Sequence, residues 1–166
     1  MMKFMLIMFM LMTTLHQTNT RLRSNDLDGL TNKNWRGSLT YLDYSTSKLV
    51  SIPTTLTVTA SARGTGCYDF KTSYPKEPSH DNLQVITIAK DGQDIDGERV
   101  KERTLLPEGT LKFVTEKDGF DDDKAALLRF TYRISKTTFS RKKEVCYAGD
   151  STWFMRNELS LKVSTE

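Results

Sequence analysis

The sequence predicts an all-β protein: one up-and-down antiparallel β-barrel of about eight to nine strands, placed after an N-terminal signal peptide. Three observations predict it. From Trp35 onward apolar and polar residues alternate with a period of two, the mark of half-buried strands. Turn signals such as Asp91-Gly92, Pro107-Glu108-Gly109, Lys136-Thr137 and Gly149-Asp150 interrupt the alternation at short, regular intervals. No segment after the leader carries an apolar stripe of helical period. Consecutive hairpins favour meander order, and closing the meander into a barrel removes unpaired strand edges.

The chain has 166 residues, enough for one domain, whereas two would each be short of core. With 37% hydrophobic and 27% charged residues it reads as globular rather than disordered. A net charge of +3 with both signs interleaved lacks the concentrated basic face that phosphate backbones require, which argues against nucleic acid as a partner.

Residues 1–20 read as a signal peptide. Lys3 supplies the positive start and Phe4 to Met12 an unbroken apolar run. A dozen helical residues reach about 18 Å, too short for a hydrocarbon core of about 30 Å. Thr18 and Thr20 are the small residues nearest a cleavage point, so the mature chain is expected to start near Arg21, in a periplasm or outside the cell. Residues 21–33 are a polar, exposed lead-in with a short helical turn around Asp26 to Leu30, and residues 34–166 form the barrel domain.

The first strand opens at Trp35, whose face includes Gly37, Leu39 and Tyr41; Ser45 to Lys48 turns the chain. A second strand, Leu49 to Ala60, is rich in Thr, Val and Ile, and Pro53 marks an edge or bulge in it. Gly64 and Gly66 precede a third, Cys67 to Tyr74, and the proline-rich Pro75 to Asp81 is an exposed loop. The fourth carries Leu83, Val85, Ile86 and Ile88; the fifth, Ile95 to Leu105, is almost wholly charged. Leu111 and Phe113 share one face of the sixth, and Lys117 to Lys124 reads as a long polar connection. Leu128, Phe130, Tyr132 and Ile134 share one face of the seventh. Thr138 to Tyr147 is the eighth and Trp153 to Val163 the ninth.

The early Trp35-Arg36-Gly37, the hairpin-linked strands and Arg156 in the final strand resemble the calycin superfamily of lipocalins, fatty-acid-binding proteins and avidins. The resemblance implies a barrel in which Trp35 and Arg156 pack together at the closed end, with Gly37 beside them. It covers the mature chain in topology and these three residues in motif. The glycine follows the tryptophan instead of preceding it. A helix between the last strands, as in lipocalins, and a helical lid after the first strand, as in fatty-acid-binding proteins, are both missing. The chain also resembles small exported proteins of unknown function, which implies no activity.

Candidate chemistry is sparse. His80 is the only histidine beyond the leader and sits in the proline-rich loop, which argues against a zinc site, a nucleophile–histidine pair or an axial haem ligand, and no cofactor is expected. Asp118, Asp121, Asp122 and Asp123 lack the alternation of a calcium loop and read as a wet hairpin tip. Cys67 and Cys146 sit in a disulfide-permissive compartment; a bridge and two separate thiols are both open readings, because non-neighbouring barrel strands exceed the reach of about 7 Å between Cα atoms.

Strand eight is more specific. Phe139, Arg141, Lys143, Val145 and Tyr147 share one face by parity, so an inward apolar set carries Arg141 and Lys143 in with it. Inward cations need partners, and an anionic ligand head group is one such partner. Arg141, Lys143, Tyr147 and Tyr132 are therefore the candidate ligand-binding residues, against the alternative of a solvated cationic face. The leading function is non-enzymatic carriage of a small apolar or amphipathic anionic ligand in the barrel. A protein-binding or inhibitor module using charged strands and loops is the alternative, and a barrel isomerase or cyclase a second. A core filled by large side chains favours the interaction module, and an open apolar cavity favours ligand carriage.

Overall fold

The computed structural model describes residues 20–164; the signal-peptide reading of residues 1–20 lies, apart from Thr20, outside the described residues. The ten strands are β1 (Asn34–Asp43), β2 (Lys48–Ala60), β3 (Cys67–Ser73), β4 (Asn82–Thr87), β5 (Asp94–Ile95), β6 (Glu98–Leu105), β7 (Leu111–Asp121), β8 (Lys124–Ile134), β9 (Thr138–Tyr147) and β10 (Phe154–Val163). They form one antiparallel sheet in the order β4-β3-β2-β1-β10-β9-β8-β7-β6-β5. A single bridge between Ile88 and Ile95 joins its two ends. The result is an up-and-down, nearly closed barrel, as the hairpin pattern predicts, with the first and last long strands paired.

Alternation fixes which side chains turn inward. On β8 Ala126, Leu128, Phe130, Tyr132 and Ile134 are all buried, and on β7 Leu111, Phe113, Thr115 and Asp121 are. Pro53 pairs with Ser38 of β1, but the β2–β3 ladder begins only at Thr55, so the missing donor costs no bond to β3. Gly37 has a different physical role from a family signature. A Cβ there would lie 2.0 Å from the Ser160 carbonyl oxygen, so the approach of β10 to β1 excludes any side chain.

Two strand expectations are corrected. The charged fifth strand divides into β5 and β6 at Asp96-Gly97, both with positive φ (50° and 76°), a tight two-residue turn; this raises the count to ten. The polar stretch Lys117 to Lys124 is not a loop. β7 and β8 continue through it, with the turn reduced to Asp122 and Asp123, because Asp121 points inward and is paired there.

The lead-in is also corrected: it is a plug rather than an exposed arm. The expected turn appears as a 3-10 helix, Asp28–Leu30, and Leu22, Leu27 and Leu30 are buried in the core. Arg103 of β6 grips Asp26 through two bonds of 2.6 and 2.7 Å. The Tyr68 hydroxyl of β3 lies 2.6 Å from Asp28 Oδ1, and Leu22 N–H donates to the Gly92 carbonyl at 2.8 Å. Burial, followed by the bond to Asp28, raises the Tyr68 pKa, so the hydroxyl stays protonated as a donor. The Lys33 ammonium donates to Gly29 and Lys136 carbonyls, tying the plug to the β8–β9 turn. This closes one end of the barrel; the other, ringed by the β1–β2, β3–β4, β7–β8 and β9–β10 turns, is the open end.

Candidate functional site

The inward parity of β9 holds in the structure. Its buried residues Phe139 and Val145 bracket Arg141 and Lys143, and both cations have carboxylate partners inside the barrel. Their partners were not legible as such. Arg141 pairs with Glu98 at 2.7 Å, a residue only 2% exposed. The Glu98 carboxylate also accepts bonds from Thr115 Oγ1 at 2.6 Å and the Tyr132 hydroxyl at 2.9 Å. The Tyr132 hydroxyl in turn accepts from Arg141 Nε at 2.8 Å. A fully satisfied network of this kind orients the guanidinium. Burial pushes the Tyr132 pKa up, with Arg141 opposing and Glu98 reinforcing, so the phenol remains a donor. Burial works against the Arg141 charge, but Tyr132 and Glu98 outweigh it and hold the guanidinium protonated.

The Arg141 guanidinium also lies over the Phe130 ring, 4.3 Å from its centroid. Yet 38% of its side chain remains exposed. Arg141 lines a cavity of about 90 Å³ that runs between the plug and the β3–β4 wall. Leu27, Leu30, Leu56, Phe70, Ile86, Ile95, Phe139 and Leu159 form its apolar part; Thr72, Asn82, Gln84, Tyr132 and Arg141 supply the polar groups. Asn82 and Gln84 are exposed, which places the opening on the β4 side. Ordinary ligand pockets hold about 300–1,000 Å³, so this one admits only a small occupant as it stands.

Nearer the open end lies a second network, around Asp121, which is 7% exposed. It accepts a bond from the Tyr44 hydroxyl, one of 2.9 Å from Lys143 Nζ, and is 3.4 Å from Arg156 Nε. Tyr147 joins through its hydroxyl, 3.4 Å from that of Tyr44. Burial alone would raise the Asp121 pKa, but the bonds from Tyr44 and Lys143 and the charges of Lys143 and Arg156 prevail and lower it. Tyr44 follows β1 and Asp121 ends β7, four places apart in the sheet order, so their bond spans part of the open end.

The expected pairing of Trp35 with Arg156 does not occur. Trp35 faces Val163 at the closed end, while Arg156 occupies a bulge between Met155 and Asn157, opposite the far end of β1. Trp35 is fully buried, donates from Nε1 to the Leu30 carbonyl at 2.9 Å and meets Phe139 edge-on. Its cation is Lys33, 5.4 Å from the ring centroid. Arg156 instead stacks over Tyr44 at 4.3 Å and donates to the Leu42 carbonyl. Cys67 and Cys146 are free thiols, on strands β3 and β9 with three strands between them.

Glu98 and Asp121 did leave a signal. Glu98 is in phase with buried Val100, and Asp121 with Leu111, Phe113 and Thr115. The signal was masked because both sit among charges that face solvent.

No protein-family model matches the chain, and no curated protein does. In structure it is similar to a protein of unknown function from the DUF3598 family of Nostoc punctiforme, with a TM-score of 0.49 and 16% identity over 89% of this chain. The chain spans about half the length of that protein, 51%. It is also similar to Rv2717c from M. tuberculosis, with a TM-score of 0.48 and 13% identity, over 87% of this chain and 99% of that one. Likeness at this level carries no family and no activity; the barrel rests on this chain's own strand pairing.

Proposed function

We propose that the protein is a non-enzymatic, calycin-like binding barrel that takes a small amphipathic anion, with the apolar part in the internal cavity and the charge against Arg141. One observation carries the reading: a part-exposed guanidinium, fixed by Glu98 and Tyr132, on the wall of a cavity otherwise mostly apolar. Prior pairing with Glu98 does not exhaust Arg141, since a guanidinium has five N–H donors. The 90 Å³ volume favours a short or compact apolar group over a long acyl chain. Export rests on the leader sequence alone, and N-terminal sequencing of the protein secreted by its own source tests it.

Calorimetric titration with butyrate, hexanoate and palmitate tests the binding reading. The short acids are expected to bind and palmitate not to. Arg141→Met should abolish that binding. Because the variant leaves Glu98 buried without its cation, Glu98→Gln/Arg141→Met provides a folded control that must also fail to bind. Binding undiminished in the double variant sinks the proposal.

A second reading has one observation of its own. Phe120 is 72% exposed at the tip of β7, beside an open groove formed with Ala125, Leu127, Cys146 and Tyr147. Exposed apolar surface of this kind suits a protein partner. Pull-down from the native source with wild type and Phe120→Ser would separate the two readings, since only the partner reading predicts a difference.

A further inference from the structure

The seam where the barrel nearly closes leaves stretches of strand with a neighbour on one side only, and one of them differs from the others. β4 pairs with β3 from Asn82 to Thr87. On its other side the Asp96 N–H reaches the Thr87 carbonyl at 2.9 Å, beside the Ile88–Ile95 bridge. β6 beyond Arg99 and β7 beyond Glu116 are likewise paired along one side. Those two carry Lys101, Glu102 and Arg103, and Lys117, Asp118 and Asp121, the charges that commonly protect an edge. β4 reads Asn-Leu-Gln-Val-Ile-Thr, with no charge and no proline, and its ladder with β3 runs without a bulge. Leu83 on it is 68% exposed.

The direction of the backbone groups follows from two bonds. The Ile88 N–H donates to the Gly66 carbonyl on the β3 side, whereas the Thr87 carbonyl turns the other way, to Asp96. Backbone groups alternate along a strand, so Gln84 and Ile86 turn theirs to β3, and Leu83 and Val85 turn theirs to the open edge. Among the described residues these edge N–H and C=O groups have no protein partner. Side chains alternate as well: Asn82, Gln84 and Ile86 line the cavity, so Leu83 and Val85 face outward.

We propose that the open edge of β4 takes the β4 of a second copy of this chain, antiparallel about a two-fold axis at Gln84. In that register Leu83 of each copy lies opposite Val85 of the other, and the two pairs exchange their free backbone groups. On the outer face, Leu83 and Val85 of both chains form one apolar cluster that covers the exposed leucine. Charge selects the occupant. A two-fold contact sets an edge against itself, so a charge near the axis would meet its own copy. β4 is the open edge that carries none. Pairing consumes the neutral edge of both chains and stops at two. One strand pair is small beside the usual interface of about 1,200–2,000 Å², so the dimer forms in a concentration-dependent way. This goes beyond the binding reading and does not depend on it.

Sedimentation of the wild-type protein at rising concentration tests this: the weight-average mass should approach twice that of the monomer. Val85→Pro removes an edge N–H that β3 does not use, and Leu83→Lys places a charge at an exposed position. Both variants should stay folded and lose the dimer. The register has its own test. Facing residues of a non-hydrogen-bonded pair lie about 4.5 Å apart between Cα atoms, within the disulfide reach of about 7 Å. In a Cys67→Ala/Cys146→Ala background, Gln84→Cys should therefore cross-link two chains on oxidation, while Lys71→Cys on β3 should not.

A wild-type protein that stays monomeric at every concentration overturns the proposal and leaves the edge to an extended segment of another protein. So does a dimer that survives in both folded variants, or one that does not cross-link through Gln84→Cys.

Discussion

The two ends of this barrel are built from different interactions. The closed end is held mainly by apolar burial around Trp35, Leu27 and Leu30, with one ion pair, Arg103–Asp26, fastening the plug to β6. The open end is held by charge, through Asp121 with Tyr44, Lys143 and Arg156. Between them lies the Glu98–Arg141 pair. Apolar burial is indifferent to pH and direction, whereas a carboxylate with three partners depends on both. The stability of one end thus depends mostly on burial and that of the other mostly on charge.

Substitutions should separate the ends, and the largest effect is expected at the closed one. Trp35→Ala removes a fully buried indole that supports both plug and β9, and should cost about 3–5 kcal/mol in urea unfolding. Loss of less than about 1 kcal/mol would mean that the plug does not support the fold.

At the junction, Arg141→Ala strands Glu98 and should cost about 3 kcal/mol or more, while Glu98→Gln/Arg141→Met recovers much of it. Equal losses in the single and double variants would show that the pair does not act as a unit. Tyr44→Phe at the open end should cost about 1–2 kcal/mol, because it removes one donor to Asp121 and leaves two cations in place.

The pH response follows from the sign of the Asp121 shift. Its folded pKa lies below the usual aspartate value of about 3.9, so its contribution is fully present above that value. The contribution is lost as pH falls below about 4, through the lower folded pKa. Amide exchange at residues 44–47 and 120–124 should therefore accelerate at pH 3 before exchange in the plug does. Simultaneous opening at both ends would erase the distinction. The smallest effect is expected from Phe120→Ser, within about 0.5 kcal/mol of wild type, since the ring is exposed and supports no core residue.

Much of the barrel was legible in the residues because strand signals are local. Alternation of period two put Arg141 and Lys143 on the same face of β9 as Phe139 and Val145, which are buried. Two-residue turns set the meander. The plug was harder to read, because Leu22, Leu27 and Leu30 have no regular spacing and only docking on β2, β3 and β6 buries them.

What the sequence by itself determined was therefore parity: which side chains of a strand share a face. What only the tertiary structure decided was level, the height along the barrel at which each inward residue sits. Level depends on the accumulated stagger of all ten strands and on bulges such as the one at Arg156. Stagger placed Glu98 opposite Arg141 across 43 residues of chain and set Arg156 beside Tyr44, far from Trp35. No local pattern carries that information, since it is the sum of many registers.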